Sequence, residues 1–193
     1  MNKYQEIEVK FSLKNLEEVE QKLNEVGIQK QNFVEYQKDT YFIPEHRNFL
    51  EPKIVSEWLR IRETPYYASL NYKKWLPVGQ PVQTHCKEYE TKLDDVLAIK
   101  KIFISLDFKE IAVVEKERRT WYYKNTAISI DKVLDLGEFI EAEFMETVPE
   151  EQAGKVQDFL IEVLEEIGAE TGPRDRRGYA YALISKKEVN NNA

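Results

Sequence analysis

Several short segments of this chain carry a charged residue at every second position, the spacing that places charges on one face of a β-strand. They are Glu6-Ile7-Glu8-Val9-Lys10, Arg60-Ile61-Arg62, Lys116-Glu117-Arg118 and Glu141-Ala142-Glu143. The alternate positions are apolar in all but the third segment, which is charged on both faces. Carboxylates are hard oxygen ligands for Mg²⁺ or Mn²⁺, and arginine and lysine donors match phosphate oxygens. Together the segments could therefore bind a metal and a phosphate.

Chance and simple solvent exposure are the alternative explanation for each segment. A chain with 33% charged residues produces such spacing at random, and exposed strand faces are normally polar. Glu88-Tyr89-Glu90-Thr91-Lys92 shows the Glu-x-Glu-x-Lys spacing a second time. Short motif matches mislead when taken singly. The complete set is more informative than any one member.

The set has a specific meaning if the charged faces of separate strands point into one closed barrel. Buried charges without partners cost several kcal/mol each, so such an interior must hold water or a ligand. The inward side chains would be Glu6, Glu8, Lys10, Arg60, Arg62, Lys73, Lys116, Arg118, Glu141 and Glu143. Acids suited to a metal and bases suited to phosphate then predict a metal–polyphosphate site.

The elements that must position these residues are mostly strands. Alternating segments bounded by turn residues predict roughly eight strands. They cover residues 4–11, 33–43, 57–64, 67–74, 86–92, 110–123, 126–134 and 137–146. No linker is long enough to divide the chain. We therefore predict one domain over residues 1–193, with an α+β fold built on a closed antiparallel β-barrel and surrounding helices.

Apolar residues at helical spacing predict the helices. We expect them over residues 13–26, 96–105, 149–168 and 179–184, the last two lying in a region of about 150–186 that packs on the barrel. Ser12 or Asn15 is the expected N-cap of the first helix, and Asp94 or Asp95 that of the second.

Composition limits the class of protein. The net charge of −7 argues against non-specific nucleic-acid binding, which usually needs a basic face. No apolar run reaches the ~18 residues of a membrane span, and the N-terminus lacks the apolar core of a signal peptide. The single cysteine, Cys86, permits no internal disulfide. We therefore expect a cytoplasmic protein without nucleic-acid or membrane partners.

At this point an ordered series of motifs resembles the CYTH, or triphosphate tunnel metalloenzyme, superfamily. The series begins at Glu6–Phe11 and ends at Ile130–Glu143, covering about three-quarters of the chain. Between them lie Asp39–Phe42, Glu57–Arg62, Leu70–Lys74, Lys87–Glu90 and Lys116–Arg118. Residues 39–49 look most like the class IV adenylyl cyclase branch. The resemblance implies an eight-stranded tunnel that binds a triphosphate and one or two divalent cations.

The resemblance also implies roles for individual residues. Lys10 would lie near the reacting phosphate, and Asp131 would assist metal or base positioning. The acidic pair Glu88 and Glu90 matches a family pair. The metal ligands would be Glu6, Glu8, Glu141 and Glu143, and the triphosphate would be held by Arg60, Arg62, Lys73, Lys116 and Arg118, together with Lys10.

One segment departs from the family pattern. Residues 173–179 are more basic than the serine-tyrosine helix start that is usual in the family. Arg176 or Arg177 could reach the tunnel mouth, but a solvated helix end explains the same sequence. This difference does not affect the resemblance to the superfamily, but it makes the assignment to one branch of it less specific.

Three functions remain open at this point. The preferred one is a cyclase that converts ATP to cyclic AMP and pyrophosphate with Mg²⁺ or Mn²⁺. The first alternative is a triphosphatase that hydrolyses inorganic, thiamine or nucleoside triphosphate, with a water activated by the metal or by Lys10. The second is a noncatalytic polyphosphate or nucleotide-binding module. The sequence is also compatible with a homodimer.

Overall fold

The computed structural model describes residues 5–29, 33–52 and 54–191. Within these ranges the strands join into one eleven-stranded, antiparallel sheet. The strands are β1 (Gln5–Glu6), β2 (Glu8–Leu13), β3 (Ile28–Gln29), β4 (Glu35–Pro44), β5 (Glu57–Glu63), β6 (Ala68–Leu76), β7 (His85–Leu93), β8 (Phe108–Tyr123), β9 (Thr126–Val133), β10 (Gly137–Phe144) and β11 (Thr171–Arg174).

The sheet is curled, as the pairing order of its strands indicates. Hydrogen-bonded neighbours follow the order β1-β7-β6-β5-β4-β8-β9-β10-β2-β11, and β3 pairs with β8. Strands β1 and β2 are consecutive in the chain and are separated only by Ile7. Glu6 pairs with Cys86 of β7, whereas Lys10 pairs with Glu141 of β10. One N-terminal segment therefore contacts strands from both ends of the order.

The described ranges contain four α-helices and a short 3₁₀ helix at Glu150–Gln152. The α-helices are α1 (Leu16–Val26), α2 (Val96–Ser105), α3 (Ala153–Glu166) and α4 (Tyr179–Asn191). Helix α2 begins as expected, because the Asp95 side chain accepts a hydrogen bond from the amide of Ala98 at 2.8 Å. Helix α4 extends well beyond the predicted residues 179–184.

Helix α1 begins later than its sequence predicted. Leu13 belongs to β2, and Asn15 occupies the N-cap position without a side-chain bond to the helix. The Asn15 amide instead donates to the carbonyl of Gly168 at 2.9 Å and accepts from the amide of Glu170 at 2.8 Å. The side chain ties the start of α1 to the segment after α3, a long-range contact that local spacing does not indicate.

The outer face of the sheet is apolar. Ile7, Val9 and Ile140 are 1%, 1% and 0% exposed and pack in one cluster with residues of α1 and α3. Phe42 and Ile61 pack with Phe103 of α2 in another. Because the helices cover the apolar faces of these strands, the charged faces are left on the concave side of the sheet.

Helix α4 closes against one end of the sheet. Tyr179, Ala180 and Leu183 are buried with Tyr41 and Trp58 in a third cluster. Strand β11, which the sequence did not predict, leads into this helix and pairs with β2. The end of the sheet near Tyr41 and Trp58 is thus covered by the C-terminal helix.

The α+β class and the antiparallel sheet are confirmed. The single-domain organisation over residues 1–193 stays a prediction, and Tyr4, the first residue of the first predicted strand, lies outside the described residues. Among the described residues, none of the helices is long and apolar enough to cross a membrane.

Candidate active site

A cavity of about 310 Å³ occupies the concave side of the sheet. Much of its lining is charged. The candidate site residues named from the sequence that line it are Glu6, Glu8, Lys10, Arg60, Arg62, Lys73, Glu88, Glu90, Lys116, Arg118, Glu141, Glu143 and Arg176. Asp131 does not line the cavity, because it is completely buried behind Lys116 and Arg118.

The acidic part of the cavity is organised around Lys73. Its ammonium nitrogen lies 2.6 Å from both carboxylate oxygens of Glu6. It is also 3.5 Å from Glu8 and 3.7 Å from Glu88, its direct cross-strand partner. The Cys86 thiol donates to Oε2 of Glu6 at 3.1 Å. Lys73 thus contacts glutamates of β1, β2 and β7 together.

Lys10 plays a similar part beside β10. Its ammonium nitrogen lies 2.9 Å from Glu141, the residue directly opposite, and 3.8 Å from Glu8. Burial disfavours the charged form, but Glu141 and Glu8 outweigh it and raise the pKa of Lys10. These two carboxylates therefore favour the protonated form of Lys10.

Glu143 differs from the other glutamates, since among the described residues it makes no ion pair within 4 Å. Burial raises its pKa to about 7. Lys73 opposes this shift, while the neighbouring carboxylates of Glu8, Glu141 and Glu88 add to it. Glu8 lies directly opposite Glu143 on the adjacent strand. This part of the cavity therefore carries more negative carboxylate charge than its ammonium groups neutralise.

Two buried aspartates, Asp39 and Asp131, anchor arginines that line the cavity. Asp39 accepts two bonds of 2.7 Å from Arg62 and one of 3.0 Å from Arg60. Asp131 likewise accepts two bonds of 2.7 Å from Arg118. Each aspartate fixes the plane of a guanidinium by a bidentate contact. Arg118 also donates to Glu141 at 3.1 Å.

Asp131 also gathers groups from other elements. Its Oδ2 accepts from Lys116 at 2.8 Å and from the Tyr179 hydroxyl at 2.9 Å. Burial would raise the pKa of this carboxyl, but Arg118 and Lys116 hold it well below its usual range. Asp131 is thus an ionised anchor for Lys116, Arg118 and α4, and Arg118 links it to Glu141.

Lys116 is the lysine of the cavity lining whose pKa is lowered. It is 4% exposed, and its ammonium lies 5.1 Å from the ring centre of Tyr179. Burial and the nearby charge of Arg118 lower its pKa to about 7, although Asp131 opposes the shift. A triphosphate bound beside Lys116 would favour the charged ammonium, because an adjacent anion stabilises it.

The glutamates fit a divalent cation in chemistry, since all four predicted ligands offer carboxylate oxygens, the donors that Mg²⁺ and Mn²⁺ prefer. The excess of carboxylates around Glu143 points the same way. Within the described ranges, however, no group of three or more His, Cys, Asp or Glu side chains is arranged to hold a metal ion. Lys73 and Lys10 separate the carboxylates instead.

Several residues in or behind the cavity wall escaped the sequence analysis. Asp39 lay inside a quoted motif but received no role, and Gln37 received none either. Both lie at alternate positions of β4, so the polar alternation of residues 35–39 is the signal that could have found them. Tyr179, to which the sequence analysis assigned no role in the site, donates to Asp131. The partner of each depends on strand register, which a single sequence does not specify.

The basic segment before α4 lies at the rim of the cavity. Arg174, Arg176 and Arg177 all belong to the lining, although the last two are exposed. Asp175 accepts hydrogen bonds from the amides of Arg177 and Gly178 at 3.0 and 2.9 Å and so shapes the approach to α4. Arg176 thus reaches the rim of the cavity, which was one of the two interpretations of this segment; its side chain is also exposed, as the other interpretation predicted.

Comparison with known proteins places this geometry in a family. The model of the CYTH domain matches residues 4–179. The chain belongs to the CYTH domain family. A Methanocaldococcus jannaschii protein named as a candidate adenylate cyclase is 28% identical over 176 residues, which are 90% of this chain and 95% of that protein.

Solved structures share the CYTH fold of this chain. A Pyrococcus horikoshii protein has a TM-score of 0.79 and 28% identity, covering 94% of this chain and 99% of that one. A candidate adenylate cyclase from Vibrio parahaemolyticus has a TM-score of 0.75 at 16% identity, covering 92% and 97%. A Hippeastrum protein described as a candidate adenylyl cyclase with a dominant triphosphatase activity has a TM-score of 0.60 at 16% identity, covering 94% and 96%.

Proposed function

We propose that this CYTH protein is an enzyme that cleaves a triphosphate in the cavity with a divalent cation, Mg²⁺ or Mn²⁺. The observation that carries the proposal is that one cavity gathers both glutamates and basic side chains from separate strands. Glu6, Glu8, Glu141 and Glu143 would hold the cation, and Arg60, Arg62, Lys73, Lys116, Arg118 and Lys10 would hold the phosphates.

The chain's own residues would act mainly by positioning and by charge. Arg62 and Arg118 are fixed in plane by Asp39 and Asp131, so their free N–H groups are oriented before a substrate arrives. Preoriented donors stabilise charge that develops on phosphate oxygens without reorganising. A bound divalent cation would supply further neutralisation of phosphate charge.

Conversion of ATP to cyclic AMP is the reaction we propose first. The ribose 3′-oxygen would form a bond to the α-phosphorus, the bond from that phosphorus to pyrophosphate would break, and the hydroxyl proton would pass to solvent water. The arginines and lysines would stabilise the charge on the leaving pyrophosphate. The motif resemblance at residues 39–49 and the name of the M. jannaschii relative support this choice.

A triphosphatase is the second candidate. The charged side chains of the cavity suit phosphate oxygens and a cation, and their contacts require no particular substituent on the triphosphate. The Hippeastrum protein shows that the same fold occurs in a protein with triphosphatase activity. In this reaction a water oxygen would form a bond to the terminal phosphorus, the bond from that phosphorus to the bridging oxygen would break, and orthophosphate, the remaining diphosphate and a proton would be released. The Lys10 ammonium would stabilise the negative charge of the phosphates.

We also propose that the sheet closes as an eight-stranded barrel around the site. Strands β1 and β2 would act as one strand between β7 and β10. In support, the carbonyl of Ile7 accepts a hydrogen bond from the Phe144 amide at 3.0 Å, next to the point where β1 gives way to β2. Closure would explain why one small cavity gathers side chains from most strands.

The deciding experiment is incubation with ATP and, separately, with inorganic triphosphate in Mg²⁺ or Mn²⁺. Cyclic AMP with pyrophosphate would establish the cyclase, and orthophosphate from either substrate would establish the triphosphatase. Binding of both substrates without any product would contradict the enzyme and leave the noncatalytic binding module. Omission of the cation should stop product formation.

A further inference from the structure

The ammonium of Lys73 lies between two of the predicted metal ligands, Glu6 and Glu8. It is equally close to both oxygens of Glu6, at 2.6 Å, and within 4 Å of Glu8 and Glu88. The ammonium contacts both oxygens of one carboxylate and one oxygen of each of two further carboxylates. These surroundings resemble those of a bound metal ion. Lys73 therefore acts as an internal counter-cation for these glutamates.

The position of Lys73 is fixed by strand register. Lys73 of β6 lies opposite Glu88 of β7, and β7 in turn pairs with β1, where Glu6 lies opposite Cys86. The side chain is 15% exposed, and the glutamate charges raise its pKa against the effect of burial. The ammonium is thus charged and enclosed by the same carboxylates that a divalent cation would need.

Two cations cannot share these carboxylates without strong repulsion, because like charges a few ångströms apart interact strongly in a partly buried site. Lys73 also lines the cavity in which the phosphates would lie. A triphosphate would offer the ammonium anionic oxygens in exchange for those of Glu6 and Glu8. The flexible lysine stem permits a short shift of this kind.

We propose that Lys73 makes the binding of a divalent cation depend on a bound triphosphate. Without triphosphate, Lys73 occupies the glutamates and weakens cation binding. With triphosphate, Lys73 turns to the phosphates and releases Glu6 and Glu8 to the cation. The two ligands then strengthen each other's binding, and the coupling is reciprocal. This inference rests on the proposed function, since it assumes a triphosphate and a cation in the cavity.

The test measures Mn²⁺ binding alone by calorimetry and electron paramagnetic resonance, with no triphosphate present. Lys73→Met should bind Mn²⁺ at least tenfold more tightly than the unmodified protein. In a separate titration with EDTA and no metal, the same variant should bind diimidotriphosphate, an analogue that resists hydrolysis, at least tenfold more weakly. Lys73→Gln, which keeps a polar side chain, serves as a second variant if Lys73→Met does not fold.

Lys74→Met is the matched control, because Lys74 is the next residue of β6 and does not line the cavity. It should leave both affinities unchanged. Triphosphate turnover by the unmodified protein, combined with equal or weaker Mn²⁺ binding by the folded Lys73 variants, would overturn the inference alone. Absence of turnover together with absence of Mn²⁺ binding in every variant would overturn the proposed function as well.

Discussion

Asp39 receives both forked N–H groups of Arg62, each at 2.7 Å, from the adjacent strand. Asp39 is 1% exposed, and its Oδ2 also accepts from Arg60. The Asp39 carboxylate thus holds both guanidinium groups from behind the wall of the cavity. Burial would raise the pKa of Asp39, but Arg62 and Arg60 hold it well below its usual range, so it stays ionised at every pH of interest.

The change Asp39→Asn should therefore destabilise the protein and weaken substrate binding together. Loss of one partner from a buried ion pair costs about 3 kcal/mol, and loosened arginines should raise KM more than they lower kcat. Urea unfolding and steady-state kinetics measure the two effects. Asp94→Asn, an exposed change, is the control. Unchanged stability in Asp39→Asn would show that the arginines hold their positions without it.

Glu143→Ala should abolish cation-dependent turnover and preserve the fold. The side chain makes no described ion pair, so its removal breaks no internal contact of that kind, while a proposed metal ligand is lost. We expect a fall in kcat of roughly 100-fold or more, a tenfold loss for each 1.4 kcal/mol. Glu138→Ala on the same strand is the control, since it does not line the cavity. Near-normal turnover would refute the assigned cation site.

Glu141→Ala should also abolish turnover, but at a greater cost in stability. Glu141 accepts from Lys10 at 2.9 Å and from Arg118 at 3.1 Å, and both cations would lose a partner. Thermal unfolding of the two glutamate variants compares these costs. A Glu141 variant that is as stable as Glu143→Ala would mean that these ion pairs contribute little to folding.

Arg60→Ala should weaken triphosphate binding more than cation binding. Arg60 contacts Asp39 and lines the cavity, and it makes no ion pair with any of the four proposed metal ligands. Calorimetry should give a dissociation constant for diimidotriphosphate that is raised about tenfold, as expected for a lost charge-assisted contact, with Mn²⁺ affinity nearly unchanged. Arg119→Ala, whose guanidinium bonds to Glu20, is the control. Equal losses for both ligands would assign Arg60 a different role.

Lys116→Met should change how stability depends on pH. The folded pKa of Lys116 is lowered to about 7, so between pH 7 and 10 the unfolded chain binds a proton that the folded protein does not. Stability of the unmodified protein should therefore rise with pH in this window, by at most about 1.4 kcal/mol per unit from this group. Urea unfolding should show a shallower rise in the variant, and Lys132→Met should match the unmodified protein. Parallel curves for all three would contradict the prediction.

The sequence by itself determined which faces of the strands are charged. Period-two spacing at Glu6-Ile7-Glu8 and Glu141-Ala142-Glu143 predicted both the strands and the chemical types of the site, because alternation in a strand is a local property of the chain. It also predicted most helices, since apolar spacing and an N-cap such as Asp95 act within a few residues. The ordered motifs further indicated the family.

Only the tertiary structure decided which charged groups meet. Lys73 beside Glu6, Asp39 beneath Arg62, and Tyr179 on Asp131 each join residues from separate elements, and their contacts follow from strand register and from the docking of α4. The pKa directions of Lys116 and Glu143 depend on burial as well as on those neighbours. Register and burial arise when the sheet curls and packs, so a local pattern fixes the type of each charge and the assembled fold fixes its partner.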